Sequence, residues 1–126
     1  MKTVYIIHGW EGSPDEPMLQ WIKSELVSKG FNVEIPAMPD PDAPKIKPWV
    51  SKLKKIADVN EETIFIGHSI GCQAILRFIE TLPENLKLRG VVFIAPWMEL
   101  DMQTMEEEGE EGIKIAKPWM EPQIDF

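Results

Sequence analysis

Gly67, Ser69 and Gly71 carry the strongest chemical signal in the sequence, because glycines stand two residues before and two residues after a serine. The apolar run 63–66 precedes them and an apolar segment follows, so the pattern falls between a buried strand and a helix. At so tight a turn the serine takes a strained backbone conformation, and side chains at the glycine positions would collide with neighbouring backbone. The spacing therefore predicts a nucleophile elbow that exposes the Ser69 hydroxyl for attack on a carbonyl carbon.

The elements that must position Ser69 are short apolar strands alternating with helices. Four apolar runs are predicted strands, at residues 3–7, 31–35, 62–66 and 90–95. Three segments with apolar residues at helical spacing are predicted helices, at residues 17–29, 49–56 and 70–81. Five prolines between residues 36 and 48 predict a stiff, extended loop.

Continuous apolar strands separated by helices are typical of the α/β class, with a parallel sheet and helices on both faces. We expect the spatial order second, first, third, fourth strand. That order brings the loop after the first strand and Ser69 to the same carboxyl edge of the sheet.

Composition narrows the functional class. The chain has 126 residues and a net charge of −8, which fits one small domain and argues against a nucleic-acid partner, since basic patches supply most of that affinity. No apolar run is long enough for a membrane span, and the N-terminus lacks the layout of a signal peptide. We therefore expect a cytoplasmic protein with no membrane partner and no cofactor.

Two further features invite a chemical interpretation. The acidic stretch 99–111 is typical of a solvated loop; a carboxylate metal site is the alternative, but the spacing of a calcium loop is missing, so no metal is predicted. The single cysteine, Cys72, begins an apolar helix, and we expect a buried thiol there rather than a catalytic one.

Five segments of the chain match those of a known family: residues 5–10, 38–41, 67–72, 74–78 and 117–119. In combination they resemble the small serine hydrolases of the YdeN type, which are α/β-hydrolases and include the retinoblastoma-binding hydrolases. The likeness covers essentially the whole chain. It implies a single α/β-hydrolase-like, three-layer domain over residues 1–126, with four strands in this chain.

The resemblance also implies the roles of individual residues. Ser69 would form an acyl-enzyme with a small ester or related acyl substrate, and the backbone N–H groups of Ile70 and Trp10 would hold the oxyanion. The residues expected to support the elbow and the neighbouring loop are Gly67, His68, Gly71, His8 and Gly9.

The general base of such a site is missing from the sequence. A triad needs a histidine and a carboxylate after the serine, but the two histidines, His8 and His68, both precede Ser69. The triad acid and histidine are therefore not identifiable in this chain. We interpret the chain as C-terminally truncated, with a complete small protein as the alternative, and we expect little or no turnover from it.

Two expectations concern partners. A four-stranded sheet would leave the edge of its fourth strand bare, so we expect segment 112–126, a second copy of the chain or another partner to cover it. The alternative to an esterase-like hydrolase is a non-catalytic interaction module, in which the acidic stretch 99–111 and exposed tryptophans contact a partner protein. The candidate tryptophans are Trp49, Trp97 and Trp119, although in a small α/β domain each is more often part of the core or of a lid.

Overall fold

The computed structural model describes residues 2–95, 114–115 and 117–119. Within them, strands and helices alternate along the chain as the apolar pattern predicts. In chain order the elements are β1 (Thr3–Ile7), α1 (Pro17–Ser28), β2 (Asn32–Glu34), α2 (Ile46–Ile56), β3 (Ile64–His68), α3 (Gly71–Ile79) and β4 (Gly90–Ile94). Residues 114–115 and 117–119 are also helical.

The four strands form one sheet in the order β2-β1-β3-β4, and every neighbouring pair is parallel. Tyr5 of β1, for example, stands between Glu34 of β2 and Phe65 of β3. The predicted order and direction of the strands are confirmed. The carboxyl ends of β1 and β3 consequently lie side by side at the centre of the sheet.

Both faces of the sheet bury apolar side chains, because alternate strand residues point to opposite faces. On one face the rings of Tyr5 and Phe65 stack at 5.4 Å and pack with the residues of α2 and α3. On the other face Val4, Ile6 and Ile66 pack against Leu19 of α1. With helices on both faces, the protein has the three-layer α/β architecture expected from the sequence.

Most boundaries differ from the prediction by a few residues, and those of α2 and β3 bear on the site. Helix α2 begins at Ile46 rather than at Trp49, so Pro48 lies in its first turn, where an N–H has no acceptor within the helix and proline is tolerated. Strand β3 runs to His68 rather than ending at Ile66. The extra pairs Gly67↔Phe93 and His68↔Ile94 continue the ladder to the residue before Ser69.

The covering of the β4 edge by the chain's own C-terminal segment is not seen in the part that the structure describes. There Trp119 is fully buried next to Trp49, on the face of the sheet that carries α2 and α3. The described helices are all too short or too polar to cross a membrane.

Candidate active site

Ser69 occupies the corner between β3, which ends at His68, and α3, which begins at Gly71. Its φ of 56° lies in the left-handed region, a conformation that costs a non-glycine residue about 1–3 kcal/mol and persists only where neighbours impose it. Two backbone hydrogen bonds impose it here: the Ser69 N–H donates to the Ile94 carbonyl at 3.1 Å, and the Cys72 N–H donates to the Ser69 carbonyl at 3.1 Å. The corner is therefore tied to both β4 and α3.

The glycines on either side of Ser69 let backbone segments approach closely. A Cβ atom at Gly71 would lie 2.4 Å from the Ile7 carbonyl oxygen, and a Cβ atom at Gly67 would lie 2.9 Å from the Cα atom of Cys72. Both distances are much shorter than a van der Waals contact. The clashing atoms belong to the backbone, so they cannot move unless α3 or β1 shifts as well. The spacing of the motif is thus explained by the packing of α3 against the two central strands.

Gly9 brings the loop after β1 against the serine. A Cβ atom at Gly9 would lie 2.9 Å from the Ser69 Cβ and 3.5 Å from its Oγ. Any side chain at Gly9 would therefore displace the serine side chain. The loop and Ser69 meet at the carboxyl edge, where the strand order predicts them.

His8 is fully buried, and both of its ring nitrogens are engaged. The Met38 N–H donates to Nε2 at 3.0 Å, so the neutral ring carries its hydrogen on Nδ1, which donates to the Gly9 carbonyl at 2.9 Å. Burial lowers the pKa of His8 below its ordinary value, against the smaller opposing effects of the Gly9 carbonyl and Glu16. His8 thus holds the Gly9 loop in place and has no nitrogen free to take the Ser69 proton.

His68 is the other histidine, and it is half-buried. A Cβ atom at Gly67 would meet α3, so the next residue along the strand, His68, points to the opposite face of the sheet. Within the described residues, its Nδ1 is buried without a hydrogen-bond partner, and neither histidine hydrogen-bonds the Ser69 hydroxyl. The described residues consequently place no histidine as a base for the serine.

The two predicted oxyanion donors flank this corner. Ile70 follows Ser69 directly and precedes α3, and in the described part of the chain its N–H has no hydrogen-bond acceptor. Trp10 follows Gly9, and its indole donates to the Asp42 carbonyl at 3.0 Å. The Glu11 N–H donates to the Pro41 carbonyl at 2.8 Å, which ties the same loop to the proline-rich segment. The oxyanion role of these two N–H groups stays a prediction.

The proline-rich segment forms a wall beside the loop, and tryptophans hold it there. The indole N–H of Trp49 donates to the Pro39 carbonyl at 2.6 Å, and that of Trp119 donates to the Pro44 carbonyl at 2.9 Å. The Trp49 ring also packs edge-on against His8 at 5.5 Å and against Trp119 at 5.7 Å. One chain of ring contacts thus runs from the Gly9 loop to the C-terminal segment.

This arrangement contradicts the alternative in which Trp49 and Trp119 are exposed partner contacts, and it agrees with their more usual place in the core. Trp49 and Trp119 are both 0% exposed, because their rings fill the space between α2, the proline-rich segment and residues 117–119. Trp97 and the acidic stretch 99–111 lie outside the described residues. Among the tryptophans that the structure describes, Trp21 of α1 is exposed, at 64%, and the sequence predicted no role for it beyond its place in a helix.

Cys72 is a buried thiol, as the sequence predicts. Burial raises its pKa to about 11, which keeps the thiol protonated and unreactive near neutral pH. Across residues 2–95, 114–115 and 117–119, no three His, Cys, Asp or Glu side chains come together as a metal site.

Comparisons with known proteins show the family to which this chain belongs. The family model for "Serine hydrolase" matches residues 4–120. YdeN of Bacillus subtilis (strain 168) is 36% identical over 95 residues, which are 75% of this chain and 50% of YdeN. The serine hydrolase RBBP9 of Rattus norvegicus is 33% identical over 75 residues, which are 59% of this chain and 36% of RBBP9.

The fold comparison extends over nearly the whole chain. The crystal structure of the ydeN gene product from B. subtilis superposes with a TM-score of 0.84 at 28% sequence identity, covering 99% of this chain and 63% of that one. The chain thus spans half the length of YdeN and less of RBBP9. Because the family model matches most of this chain, the chain belongs to the serine hydrolase family.

Proposed function

We propose that Ser69 is the nucleophile of a hydrolase that acts on small esters or related acyl compounds. The observation that carries the proposal is the strained Ser69 corner, with φ of 56°, pressed against the Gly9 loop at the carboxyl edge of the sheet. Strain of this kind needs support from its surroundings and is concentrated at functional sites. In this proposal residues 67–71 are a nucleophile elbow.

The reaction begins with attack by the Ser69 Oγ on the substrate carbonyl carbon. A bond from Oγ to carbon forms, the carbonyl oxygen takes up the negative charge, and the N–H groups of Ile70 and Trp10 stabilise it. Collapse of this intermediate expels the alcohol and leaves an ester on Ser69, which water then hydrolyses. Each oxyanion donor contributes about 3 kcal/mol on the usual scale of mutagenesis.

Proton transfer limits this chemistry in the chain as it stands. The Ser69 proton must leave as the new bond forms, but His8 has both nitrogens engaged and His68 points away from the α3 face. The proton therefore passes to solvent, and acylation is slow. An activated ester with a phenolate leaving group needs no acid for its departure, so it is the substrate of choice for detecting the reaction.

The proposal is tested with p-nitrophenyl acetate and intact-mass spectrometry on the full 126-residue chain. We expect one acetyl group to accumulate on the wild type, faster at alkaline pH, with little steady-state release of acid. Ser69→Ala should abolish the adduct, and Ser51→Ala, at an exposed serine of α2, should leave it unchanged. An adduct that survives in Ser69→Ala, or none on the wild type, contradicts the proposal.

The runner-up is a non-catalytic interaction module on the same fold. It loses much of its support because Trp49 and Trp119 are buried, while the lack of a placed base among the described residues still favours it. The two functions are distinguished by the Ser69 adduct, since a surface that only binds protein has no reason to acylate one serine.

A further inference from the structure

A cleft of about 360 Å³ opens between the proline-rich segment and the helical residues near the C-terminus. Its volume lies within the range of about 300–1,000 Å³ that is usual for small-molecule sites. It shares Pro44 with the proline-rich wall described above, but neither Ser69 nor Gly9 lines it. The lining residues are Ala43, Pro44, Lys45, Ile46, Lys114, Ile115 and Pro118.

The walls of this cleft are held at a fixed distance by buried contacts. The hydrogen bond from the Trp119 indole to the Pro44 carbonyl joins the two walls directly, at 2.9 Å. Arg77 of α3 donates to the Trp119 carbonyl, and the Trp119 ring packs against Trp49 of α2. The cleft is therefore preformed, which lowers the entropic cost of filling it.

The surface of the cleft is almost entirely apolar, with two lysines at its margin. Lys45 and Lys114 are both exposed residues of the cleft lining, and the apolar stems of their side chains border its walls. Lys45 is also the residue before the first turn of α2, where the partial positive charge of a helix adds to that of the side chains. The charge of the cleft margin is thus opposite to the net charge of −8 of the whole chain.

We propose that this cleft binds a medium-chain alkyl carboxylate. The alkyl chain lies between Ala43, Ile46 and Ile115, and the carboxylate lies at the margin beside Lys45 and Lys114. Burial of the alkyl chain against the apolar walls contributes roughly 25 cal/mol per Å² of apolar surface removed from water. The lysines favour a negatively charged head group over a neutral one. Neither feature depends on the chemistry of Ser69, so the site stands whether or not the chain hydrolyses esters.

Isothermal titration of the full chain with sodium decanoate, below its micelle concentration, tests this proposal. We expect saturable binding at one site, weaker binding of decanol, which lacks the charge, and no detectable binding of butyrate, which lacks the length. Lys45→Glu should weaken decanoate binding about tenfold, because it replaces attraction by repulsion. The matched control, Lys55→Glu at the far end of α2, should leave the affinity within about twofold of the wild type.

A second variant addresses the apolar wall. Ala43→Phe places a ring in the cleft and should abolish binding, and circular dichroism confirms that the variant is folded. The two exposed lysine variants keep the test valid even if the phenylalanine variant does not fold. Absence of saturable binding by the wild type, or equal affinities of Lys45→Glu and Lys55→Glu, overturns the proposal.

Discussion

At the scale of single residues, glycine is required on either side of Ser69 because backbone atoms of neighbouring elements lie where a Cβ atom would stand. The motif predicts that a side chain at Gly71 would clash, and the structure identifies the partners as the carbonyl oxygens of Ile7 and His8 on the neighbouring strand. The motif does not predict the hydrogen bonds of the His8 ring. Its bond to the Met38 N–H joins residues 30 positions apart, and only the parallel pairing of β1 with β2 brings those segments together.

Gly71→Ala is the sharpest test of this packing. The new methyl group would lie 2.4 Å from a backbone oxygen, so α3 must move away from β1, and we expect the free energy of unfolding to fall by about 3 kcal/mol. Gly90→Ala is the matched control, because a Cβ atom there meets no other atom within 4 Å. Urea denaturation of both variants measures the difference. Equal stabilities would mean that the contact between α3 and β1 is looser than described.

His8 makes stability depend on pH in a predictable direction. Burial lowers its pKa in the folded state below the ordinary value of 6.5, so the unfolded chain takes up a proton before the folded one does. The contribution of His8 to the free energy of unfolding should therefore not change with pH above pH 6.5. It should then fall by up to about 1.4 kcal/mol for each pH unit below that value.

Replacing His8 by asparagine checks the assignment. His8→Asn removes the titrating ring and should flatten the curve between pH 6.5 and about pH 5, above the range where carboxyl groups titrate. Urea denaturation at a series of pH values supplies the curve for each variant. A slope that is unchanged in His8→Asn would assign the pH dependence to other groups.

At the scale of elements, the apolar pattern located β1–β4 and α1–α3 among the described residues but misplaced several boundaries, including two that bear on the site. Prolines were interpreted as excluding helix up to residue 48, yet the first turn of α2 accommodates Pro48. The burial of Trp49 and Trp119 is the usual outcome for tryptophans in a small α/β domain, but the contact that buries them could not be predicted. It depends on residues 117–119 returning to Pro44, a contact that spans 75 positions, and no local pattern encodes a contact of that range.

The outer edge of β4 is the element whose surroundings call for a partner. Within the described residues β4 pairs only with β3, and its Val91 and Val92 are 37% and 50% exposed. The strand has no lysine, proline or other feature that blocks pairing with another strand. We propose that a second copy of this chain pairs with it edge to edge, although the net charge of −8 on each copy opposes association at low salt.

Light scattering after size-exclusion chromatography tests this proposal. The wild type should be a dimer whose fraction rises with salt concentration, and Val92→Lys should be a monomer because it places a charge at the edge. Val27→Lys is the matched control, since Val27 is also 50% exposed but lies on α1; it should remain a dimer. A wild type that stays monomeric at every concentration, or a dimeric Val92→Lys, would exclude this interface.

At the scale of the whole molecule, the strand order β2-β1-β3-β4 explains why the site can be recognised from so little sequence. It places β1 and β3 at the centre, so the Gly9 loop and the Ser69 corner meet without any further element. The sequence could predict this meeting because it follows from parallel pairing and right-handed crossovers. It could not predict the cleft that residues 43–46 form with Lys114, Ile115 and Pro118, which depends on the packing of Trp49 against Trp119.

Labelling of the folded 126-residue chain with a fluorophosphonate, followed by mass-spectrometric mapping of the modified peptide, tests whether Ser69 is a nucleophile. We expect one label, on Ser69, which is lost in Ser69→Ala, retained in Ser51→Ala and abolished when the chain is unfolded in urea before labelling. Labelling of several serines at equal rates, or none on the folded wild type, would contradict it.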